Sequence, residues 1–311
     1  MTHIGKVYDH RATHWIALTG SRGTSIARQK YHMALKKASD FLTNSRHFTR
    51  SPTITVLLPH YKCETFLEEA VCSILRQSFG DFELWVIDDS SGSDEWLNTL
   101  EPHFSDRRLH AYKTTRNVGP YRIKNAALRQ ISSPIIAFQD ADDRSHQSRF
   151  EDQLSLMRRA GAHIVGSSFN YISEVGSFIH YKKMVRNANL WLSFGKSFVS
   201  HHPTTIVRRE VLENLGGFDG STEFGADADF VLRAKHLYNL RNYPAARYEY
   251  RLHKSSLSGS EETGHDSVRR KKYVEAMKER ERARRGERGA SLLQKLVAPP
   301  NDIEFELNEI F

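Results

Sequence analysis

The fold of this chain is decided by residues 53–89, which read TITVLLPHYKCETFLEEAVCSILRQSFGDFELWVIDD. The apolar run Ile54–Leu58 stops at Pro59, apolar residues recur at helical spacing from Phe66 to Leu75, and a second apolar run covers 82–87. Short apolar strands that alternate with helices are typical of a mostly parallel sheet with helices on both faces. The stretch therefore predicts the first strand, helix and strand of an α/β fold.

The same alternation continues to residue 138. A third strand is expected near 109–113, a helix over about 121–130 and a buried strand over 135–138. The later elements are less regular, and we expect them at 164–166 (strand), 209–215 (helix), 226–237 (helix) and 243–250 (strand).

One domain is predicted over residues 51–260, with a helical extension on each side. The N-terminal extension, 1–50, contains an expected helix at 25–43. The C-terminal extension, 261–311, contains a highly charged helix over 268–289. Because this helix has only one turn of apolar stripe, we weigh a solvated helix against one that lies on a membrane surface.

The net charge of +8 is carried by the extensions. Residues 51–267 hold 25 Lys and Arg against 27 Asp and Glu, whereas 1–50 hold 9 against 2 and 268–289 hold 10 against 4. Nucleic-acid-binding proteins place their basic face on the folded domain, so no specific nucleic-acid partner is expected. The basic flanks instead suggest contact with an anionic membrane face or an acidic partner.

Composition excludes several other classes of protein. No run approaches the roughly 18 apolar residues of a membrane span, and the first thirty residues lack the apolar stretch of a secretion signal. We therefore expect a cytoplasmic protein, peripheral at the inner membrane face if the flanks bind lipid. The cysteines, Cys63 and Cys72, lack zinc or redox spacing and are interpreted as reduced thiols.

Polar side chains gather where the predicted strands end. The segments are 59–64, 88–91 and 140–143, and each follows a strand of the predicted sheet. Ligands of open α/β sheets bind at the carboxyl edge of the strands, so position alone makes Pro59 and Glu64 candidate ligand contacts.

The sharpest chemical feature is the acidic cluster Asp140, Asp142 and Asp143 after a buried strand. Three carboxylates within four residues repel one another unless a cation neutralises them. The spacing favours a hard oxygen-ligand site for Mg²⁺ or Mn²⁺ that substrate phosphates complete. An acidic turn that caps the helix starting near Gln147 is the alternative.

Six segments together resemble family 2 glycosyltransferases, the large inverting family with the GT-A fold. They are 55–61, 67–78, 82–94, 116–119, 124–128 and 136–143, in the order and spacing of that family. The resemblance covers about 53–258. It implies a single GT-A domain, a nucleotide-diphosphate sugar as donor, with a UDP-sugar expected, and a glycan or lipid-linked acceptor.

The resemblance also implies roles for residues on the donor side. Tyr61 would lie against the nucleotide base, and Asp88 would accept a hydrogen bond from it. A loop aromatic that covers the first helix, and a turn cap, are the alternatives. Lys124 stands where the family often has Arg and would pair with the diphosphate, unless it is an ordinary solvated lysine.

The acidic residues are assigned in the same way. Asp140 or Asp142 would meet the ribose, and Asp142, with or without Asp143, would hold the metal that bridges the phosphates. His253, within the segment 250–258, resembles a late Arg-x-His element that reaches the metal or the diphosphate. An ordinary loop histidine is the alternative.

Inverting transfer needs a base that takes the proton of the acceptor hydroxyl. Residues 225–233, GADADFVLR, resemble the family segment that carries this base, and Asp227 is the matching residue. Ala226 replaces the usual Glu. The alternative is that Asp227 and Asp229 only complement a helix dipole.

Three aromatic residues, Trp191, Phe194 and Phe198, recur at a spacing usual for core, with a sugar-stacking wall as the alternative.

Two other functions compete with glycosyl transfer. A sugar-phosphate nucleotidyltransferase needs a glycine-rich basic loop after the first strand, and 59–66 contains no glycine. A non-catalytic nucleotide-binding module is expected to have lost the acidic cluster or the base, and both are present.

Overall fold

The computed structural model describes residues 51–196, 198–254, 256, 264, 267–299 and 305–310. The chain divides into two compact units, 1–50 and 51–311. The helix expected at 25–43 and the rest of the N-terminal extension lie outside the described residues. All that follows concerns the second unit.

The first half alternates strands and helices as the sequence predicts. Its elements are β1 (Ile54–His60), α1 (Glu64–Leu75), β2 (Phe82–Asp88), α2 (Glu95–Leu100), β3 (Leu109–Thr114), α3 (Pro120–Leu128) and β4 (Ile135–Phe138). β1 runs through Pro59, beyond Leu57, the last residue that β4 pairs. Because the proline nitrogen faces the side where that pairing has ended, its missing N–H costs no ladder hydrogen bond.

The second half has longer strands than the sequence predicts. Its elements are β5 (Arg144–Ser145), α4 (Arg149–Ala160), β6 (Ile164–Ile172), β7 (Phe178–Lys182), α5 (Ala188–Ser193), β8 (Ile206–Arg208), α6 (Arg209–Asn214), α7 (Ala226–Ala234), β9 (Leu240–Arg251), α8 (Val268–Arg284), α9 (Gly289–Leu296) and β10 (Leu307–Glu309).

The ten strands of the described residues form one sheet, in the order β10-β3-β2-β1-β4-β8-β6-β9-β5 with β7 beside β6. The centre, β3-β2-β1-β4, is parallel, and antiparallel pairs with β8 and β10 flank it. β1 lies between β2 and β4. The chain therefore goes from β1 to β2 and β3 on one side of β1, and then crosses to β4 on its other side. Such a switch point opens a crevice at the carboxyl ends of the strands.

Side-chain alternation along β1 divides the core in two. Ile54, Val56 and Leu58 pack in one apolar cluster with α1, whereas Leu57 packs in the cluster on the opposite face with Phe138. Successive strand residues point to opposite faces, so both faces of the central sheet are buried.

The charged helix predicted over 268–289 is α8, which ends at Arg284; one side of it packs on the domain and the other side is exposed. Met277, Glu281 and Arg284 are buried, and Lys235, directly after α7, pairs with Glu281 at 2.7 Å. Arg280 lies 3.3 Å from Asp229 of α7. Ion pairs within the protein therefore neutralise part of the basic charge of α8. In the described part of the chain, no helix is both long and apolar enough to span a membrane.

Candidate functional site

The crevice at the switch point brings the predicted segments together. His60 at the end of β1 pairs with Asp88 at the end of β2, and Leu57 pairs with Phe138 of β4, two residues before Asp140. Residues far apart in the chain thus meet at one edge of the sheet.

The loops after β1 and β2 are bound to each other around Asp88. Its buried carboxylate accepts hydrogen bonds from the backbone N–H and the hydroxyl of Ser91, and the same hydroxyl oxygen accepts from Lys62 N at 3.0 Å. Tyr61, next to Lys62, is 47% exposed, so it does not cover α1. An exposed ring thus lies near a buried carboxylate, and Pro59 directly precedes this loop.

His60, the last residue of β1, lies close to Glu64, the first residue of α1. The imidazole is 1% exposed, and its Nε2 lies 3.7 Å from Glu64 Oε1. Burial lowers the pKa of His60, although Asp88 and Glu64 oppose the shift. His60 is therefore neutral at pH 7.

Asp89 has a structural role that the sequence analysis missed. Its carboxylate accepts hydrogen bonds from Val118 N at 2.8 Å and Gly119 N at 2.7 Å, immediately before α3 begins at Pro120. Burial raises the pKa of Asp89 to about 6, against the effect of these hydrogen bonds. Asp89 joins the end of β2 to the start of α3. The Gly-Pro pair at a helix start was the available signal.

The acidic cluster is compact. Ligand oxygens of Asp140, Asp142 and Asp143 all lie within 4.8 Å of one another. Asp143 is fully buried, and its Oδ1 accepts a hydrogen bond from Arg251 N at 2.7 Å. The Tyr248 hydroxyl faces the same carboxyl and favours its charged form, yet no hydrogen bond of good geometry reaches Oδ2 from the described residues.

This donor set fits a hard divalent cation. Burial and the two neighbouring aspartates raise the pKa of Asp143 well above its usual range, because a further negative charge is unfavourable there unless a cation offsets it. An orphaned buried oxygen beside two further carboxylates is the ligand chemistry of Mg²⁺ and Mn²⁺. A simple helix-capping turn leaves that oxygen unexplained.

His253 reaches the cluster, as the sequence analysis predicted. Its Nε2 lies 2.8 Å from Asp142 Oδ2, and its ring packs on Phe66 with centroids 4.9 Å apart. The side chain is 4% exposed, so it is not an ordinary loop histidine.

Arg251 holds the cluster in place and was not among the sequence candidates. This arginine is 1% exposed, and its Nε donates to the Asp142 carbonyl at 2.8 Å while its Nη2 donates to Glu69 at 2.6 Å. Arg251 is the arginine of the Arg-x-His element that contains His253, and this element was the available sequence signal. Only the pairing of β9 with β5 and β6 brings Arg251 here.

Lys124 is a buried cation and not a solvated helix lysine. It is 2% exposed, and its Nζ lies 3.0 Å from His202 Nε2. An ammonium group only donates, so His202 accepts through Nε2 and is neutral. Burial lowers the pKa of Lys124, whereas the charges of Asp140 and Asp227 raise it. Lys124 thus links the acidic cluster electrostatically to Asp227.

Asp227 and Asp229 begin α7 and face different surroundings. The Tyr121 hydroxyl donates to Asp227 Oδ1 at 2.8 Å, and Asp227 lines a cavity of about 40 Å³ together with Phe198 and His202. Asp229 is 2% exposed, and its carboxylate accepts from Arg233 Nε at 2.7 Å. Only Asp227 therefore faces the crevice.

A second group of potential metal ligands is Glu68 and Cys72 on α1 together with His103 in the short turn after α2. Here Cys72 Sγ and His103 Nε2 are 3.5 Å apart, a distance that an S–H···N hydrogen bond accounts for. Burial also raises the pKa of Cys72 and so disfavours the thiolate. No cation is needed to explain this group.

Comparison with known proteins identifies the family. A model of the glycosyl transferase family 2 domain matches residues 55–216. The chain belongs to this family. The matched range begins in β1 and includes every predicted donor-side and cluster residue; Asp227 and His253 lie beyond it.

Two curated relatives of this family 2 chain are glycosyltransferases of Escherichia coli. One relative is UDP-Glc:alpha-D-GlcNAc-diphosphoundecaprenol beta-1,3-glucosyltransferase WfgD of Escherichia coli. The two sequences are 28% identical over 145 residues, and the matched region covers 44% of this chain and 56% of WfgD. This chain is 29% identical over 215 residues to the O-antigen biosynthesis glycosyltransferase WbnJ of Escherichia coli, covering 67% and 82% of the two chains. The chain thus spans a little over half the length of WfgD.

Solved structures share the fold. The structure of S. aureus TarS 1-349 in complex with UDP-GlcNAc gives a TM-score of 0.55 at 21% identity, over 66% of this chain and 60% of that TarS chain. Mannosyltransferase PcManGT of Pyrobaculum calidifontis, in complex with GDP-Man and Mn²⁺, also gives 0.55, at 19% identity over 85% and 75% of the chains. The expected GT-A type α/β domain with a central sheet is confirmed.

Proposed function

We propose that this family 2 chain is a metal-dependent inverting glycosyltransferase. It moves a hexosyl or hexosaminyl group from a nucleotide-diphosphate sugar, with a UDP-sugar as the expected donor, to a glycan or lipid-linked acceptor. The observation that carries the proposal has two parts: Asp88 and the acidic cluster share one sheet edge, and the buried Lys124 interacts electrostatically with both Asp140 and Asp227.

The donor nucleotide would occupy the crevice between the loops after β1 and β2. Tyr61 offers an exposed ring face to a base, and Asp88, held by Ser91, offers a fixed acceptor to its edge. Pro59 and Glu64 line the entrance, and Asp140 would meet the ribose. UDP in TarS and GDP-Man in PcManGT support a nucleotide-sugar ligand for this fold.

The metal would be held by Asp142 and Asp143, with His253 as a further ligand. Bound there, Mn²⁺ or Mg²⁺ would neutralise the charge that develops on the diphosphate leaving group. Lys124, whose ammonium is desolvated, would add a second positive charge on the diphosphate side.

Asp227 would act as the base. The hydrogen bond from Tyr121 holds Oδ1, which orients the carboxylate toward the cavity beside Phe198. Asp219 and Asp229 are poor candidates because each is 2% exposed and has further partners: Ser221 and Tyr273 donate to Asp219, and Arg233 and Arg280 pair with Asp229. The acceptor oxygen would give its proton to Asp227 and attack the anomeric carbon from the face opposite the diphosphate. The bond from that carbon to the diphosphate oxygen breaks, and the centre is inverted.

A screen of the full chain against UDP-, GDP- and dTDP-sugars with Mn²⁺ tests the proposal, with nucleotide release and acceptor glycosylation as readouts. We expect turnover with one nucleotide class and none after chelation. Tight binding of a nucleotide without turnover of any sugar, across glycan and polyprenyl-diphosphate acceptors, would instead identify a non-catalytic module.

Location is a proposal as well. We infer a cytoplasmic protein that meets a lipid-linked acceptor at the inner membrane face. The charge distribution along the sequence predicts membrane contact through the basic flanks. Ion pairs of Arg280 and Arg284 with Asp229, however, offset part of the positive charge that α8 could offer to a membrane.

A further inference from the structure

Helix α5 exposes large apolar side chains on one side. Leu190, Trp191 and Phe194 are 49%, 44% and 73% exposed, whereas Ala188 and Leu192 on the opposite side are buried. Phe194 directly follows the helix, four positions after Leu190 and three after Trp191, so these three side chains share a face. Isolated exposed apolar residues are ordinary on protein surfaces, but a grouped set marks an interaction site.

This apolar face continues toward the candidate base. Phe198, four residues after Phe194, is 57% exposed and lines the cavity that contains Asp227. The aromatic spacing at 191, 194 and 198 is usual for core, and that expectation is wrong for all three residues. The exposed surface therefore adjoins the place where an acceptor hydroxyl would enter.

The same stretch is basic and contains no acidic residue. Between Glu174 and Glu210 there is no Asp or Glu. Lys182, Lys183, Arg186 and Lys196 are all exposed. The Nζ of Lys182 lies 5.9 Å from the centre of the Phe198 ring, so basic and apolar groups are interleaved in space.

We propose that this basic aromatic patch, the exposed side chains of residues 182–196 and of Phe198, docks on the anionic face of a lipid bilayer. Aromatic and leucine side chains insert at the headgroup boundary, while lysine and arginine attract anionic lipids. The proposal rests on the proposed function, because a lipid-linked acceptor would then present its sugar beside Asp227. It moves the membrane contact from the flanks to the catalytic domain.

Vesicle co-sedimentation of the full chain tests the electrostatic part. Vesicles of phosphatidylcholine alone are compared with vesicles that also contain phosphatidylglycerol. Replacing Lys182 and Lys183 by Gln should weaken binding to the anionic vesicles by roughly 25-fold, about fivefold for each charge. The matched control is Lys272→Gln with Arg285→Gln on α8, which removes the same charge from an exposed surface elsewhere. It should change binding by about twofold or less.

A second pair of variants tests the apolar part. Trp191→Ser with Phe194→Ser should weaken vesicle binding by about tenfold or more. The control, Val268→Ser with Val297→Ser, removes exposed apolar groups from elsewhere in the chain and should leave binding unchanged. The unfolding temperature and UDP affinity of every variant should match those of the wild type, which separates loss of docking from loss of folding.

Tryptophan fluorescence reports the depth of insertion. The protein used carries Trp15→Phe, and Trp85 and Trp96 are 6% and 0% exposed, so lipid should perturb Trp191 much more than the other two remaining tryptophans. Anionic vesicles should shift the emission to shorter wavelength, and lipids brominated on the acyl chain should quench it. Trp191→Phe should remove both effects.

Three results would overturn the docking surface. The first is vesicle binding that does not depend on lipid charge. The second is an equal loss of vesicle binding in the patch variants and in the control variants. The third is a change of oligomeric mass in the patch variants without a change in vesicle binding, which would show that a second copy covers the patch. Failure of vesicle binding in a chain that glycosylates a water-soluble acceptor removes this proposal alone. Patch-dependent binding without any transfer removes the proposed function alone.

Discussion

The hydroxyl of Tyr121 donates a hydrogen bond of 2.8 Å to Oδ1 of Asp227, across 106 residues of sequence. Burial and the neighbouring carboxylate raise the pKa of Tyr121 well above its usual range, so the phenol remains a donor at every working pH. The Tyr121 ring also packs on Phe218, with centroids 5.6 Å apart. The start of α3 thus sets the orientation of the candidate base at the start of α7.

The first prediction concerns that base. Asp227→Asn should lower kcat by roughly 10²- to 10⁴-fold, the cost of losing a positioned general base, while donor affinity changes little. Steady-state kinetics and UDP-sugar calorimetry measure the two quantities.

The matched variant is Tyr121→Phe, which keeps the carboxylate and removes only the group that orients it. It should lower kcat by about tenfold, less than Asp227→Asn does. A collapse of donor affinity in Asp227→Asn would mean that this residue binds the nucleotide and that the base lies elsewhere.

The second prediction concerns the metal. Asp142→Asn removes one carboxylate from the cluster and should weaken Mn²⁺ binding at least tenfold and abolish turnover. Calorimetry of Mn²⁺ in the presence of UDP gives the affinity independently of turnover, and EDTA should inhibit the wild type reversibly. Asp94→Asn, which alters an aspartate with a 72% exposed side chain, should behave like the wild type. Full activity in excess EDTA would contradict the metal role.

The third prediction separates Asp229 from Asp227. Asp229 and Arg233 are 3% and 1% exposed in their side chains, and the arginine also donates to the carbonyl oxygens of Leu215 and Gly217. Asp229→Asn should therefore lower the free energy of unfolding by about 3–5 kcal/mol, the usual cost of breaking a buried ion pair.

Urea unfolding measures this loss, and turnover per folded molecule should stay near that of the wild type. The control is Glu213→Gln, which breaks a half-exposed pair with Arg209 and should cost about 0–1 kcal/mol. Equal losses of stability in the two variants would contradict a buried pair in solution.

The fourth prediction concerns pH. His201 stacks on Phe169 at 4.5 Å, and burial lowers its pKa to about 4. Because the folded-state pKa lies below the unfolded value, the folded protein binds fewer protons, and stability is lost as pH falls from about 6.5 toward 4.

His201 should therefore account for about 2 kcal/mol of the loss in unfolding free energy between about pH 7 and 5. His201→Phe, which preserves the ring stacking, should flatten that part of the curve. Parallel pH curves for the two proteins, measured by urea unfolding, would place the titrating group elsewhere.

Local patterns were sufficient for the parallel strands at the centre of the sheet, but not for β5, β7 and β10. The strand predicted at 135–138 is β4, and the one predicted at 82–87 is one residue shorter than β2. Such strands are continuous apolar runs because both of their faces are buried, so neighbouring residues carry the signal. The helix predicted over 226–237 ends earlier, at Ala234, because where a helix ends depends on what packs against it.

By itself the sequence determined the α/β class, the carboxyl-edge position of the candidate residues and the acidic cluster, since each depends on order along the chain. Only the tertiary structure decided that Lys124 is buried, that Arg251 holds the cluster and that Asp229 faces Arg280 while Asp227 faces the crevice. These facts depend on contacts between residues tens to more than a hundred positions apart, and on which side of a helix faces a partner. A one-residue step along α7 turns a side chain by about 100°, so two aspartates two positions apart meet unrelated surroundings.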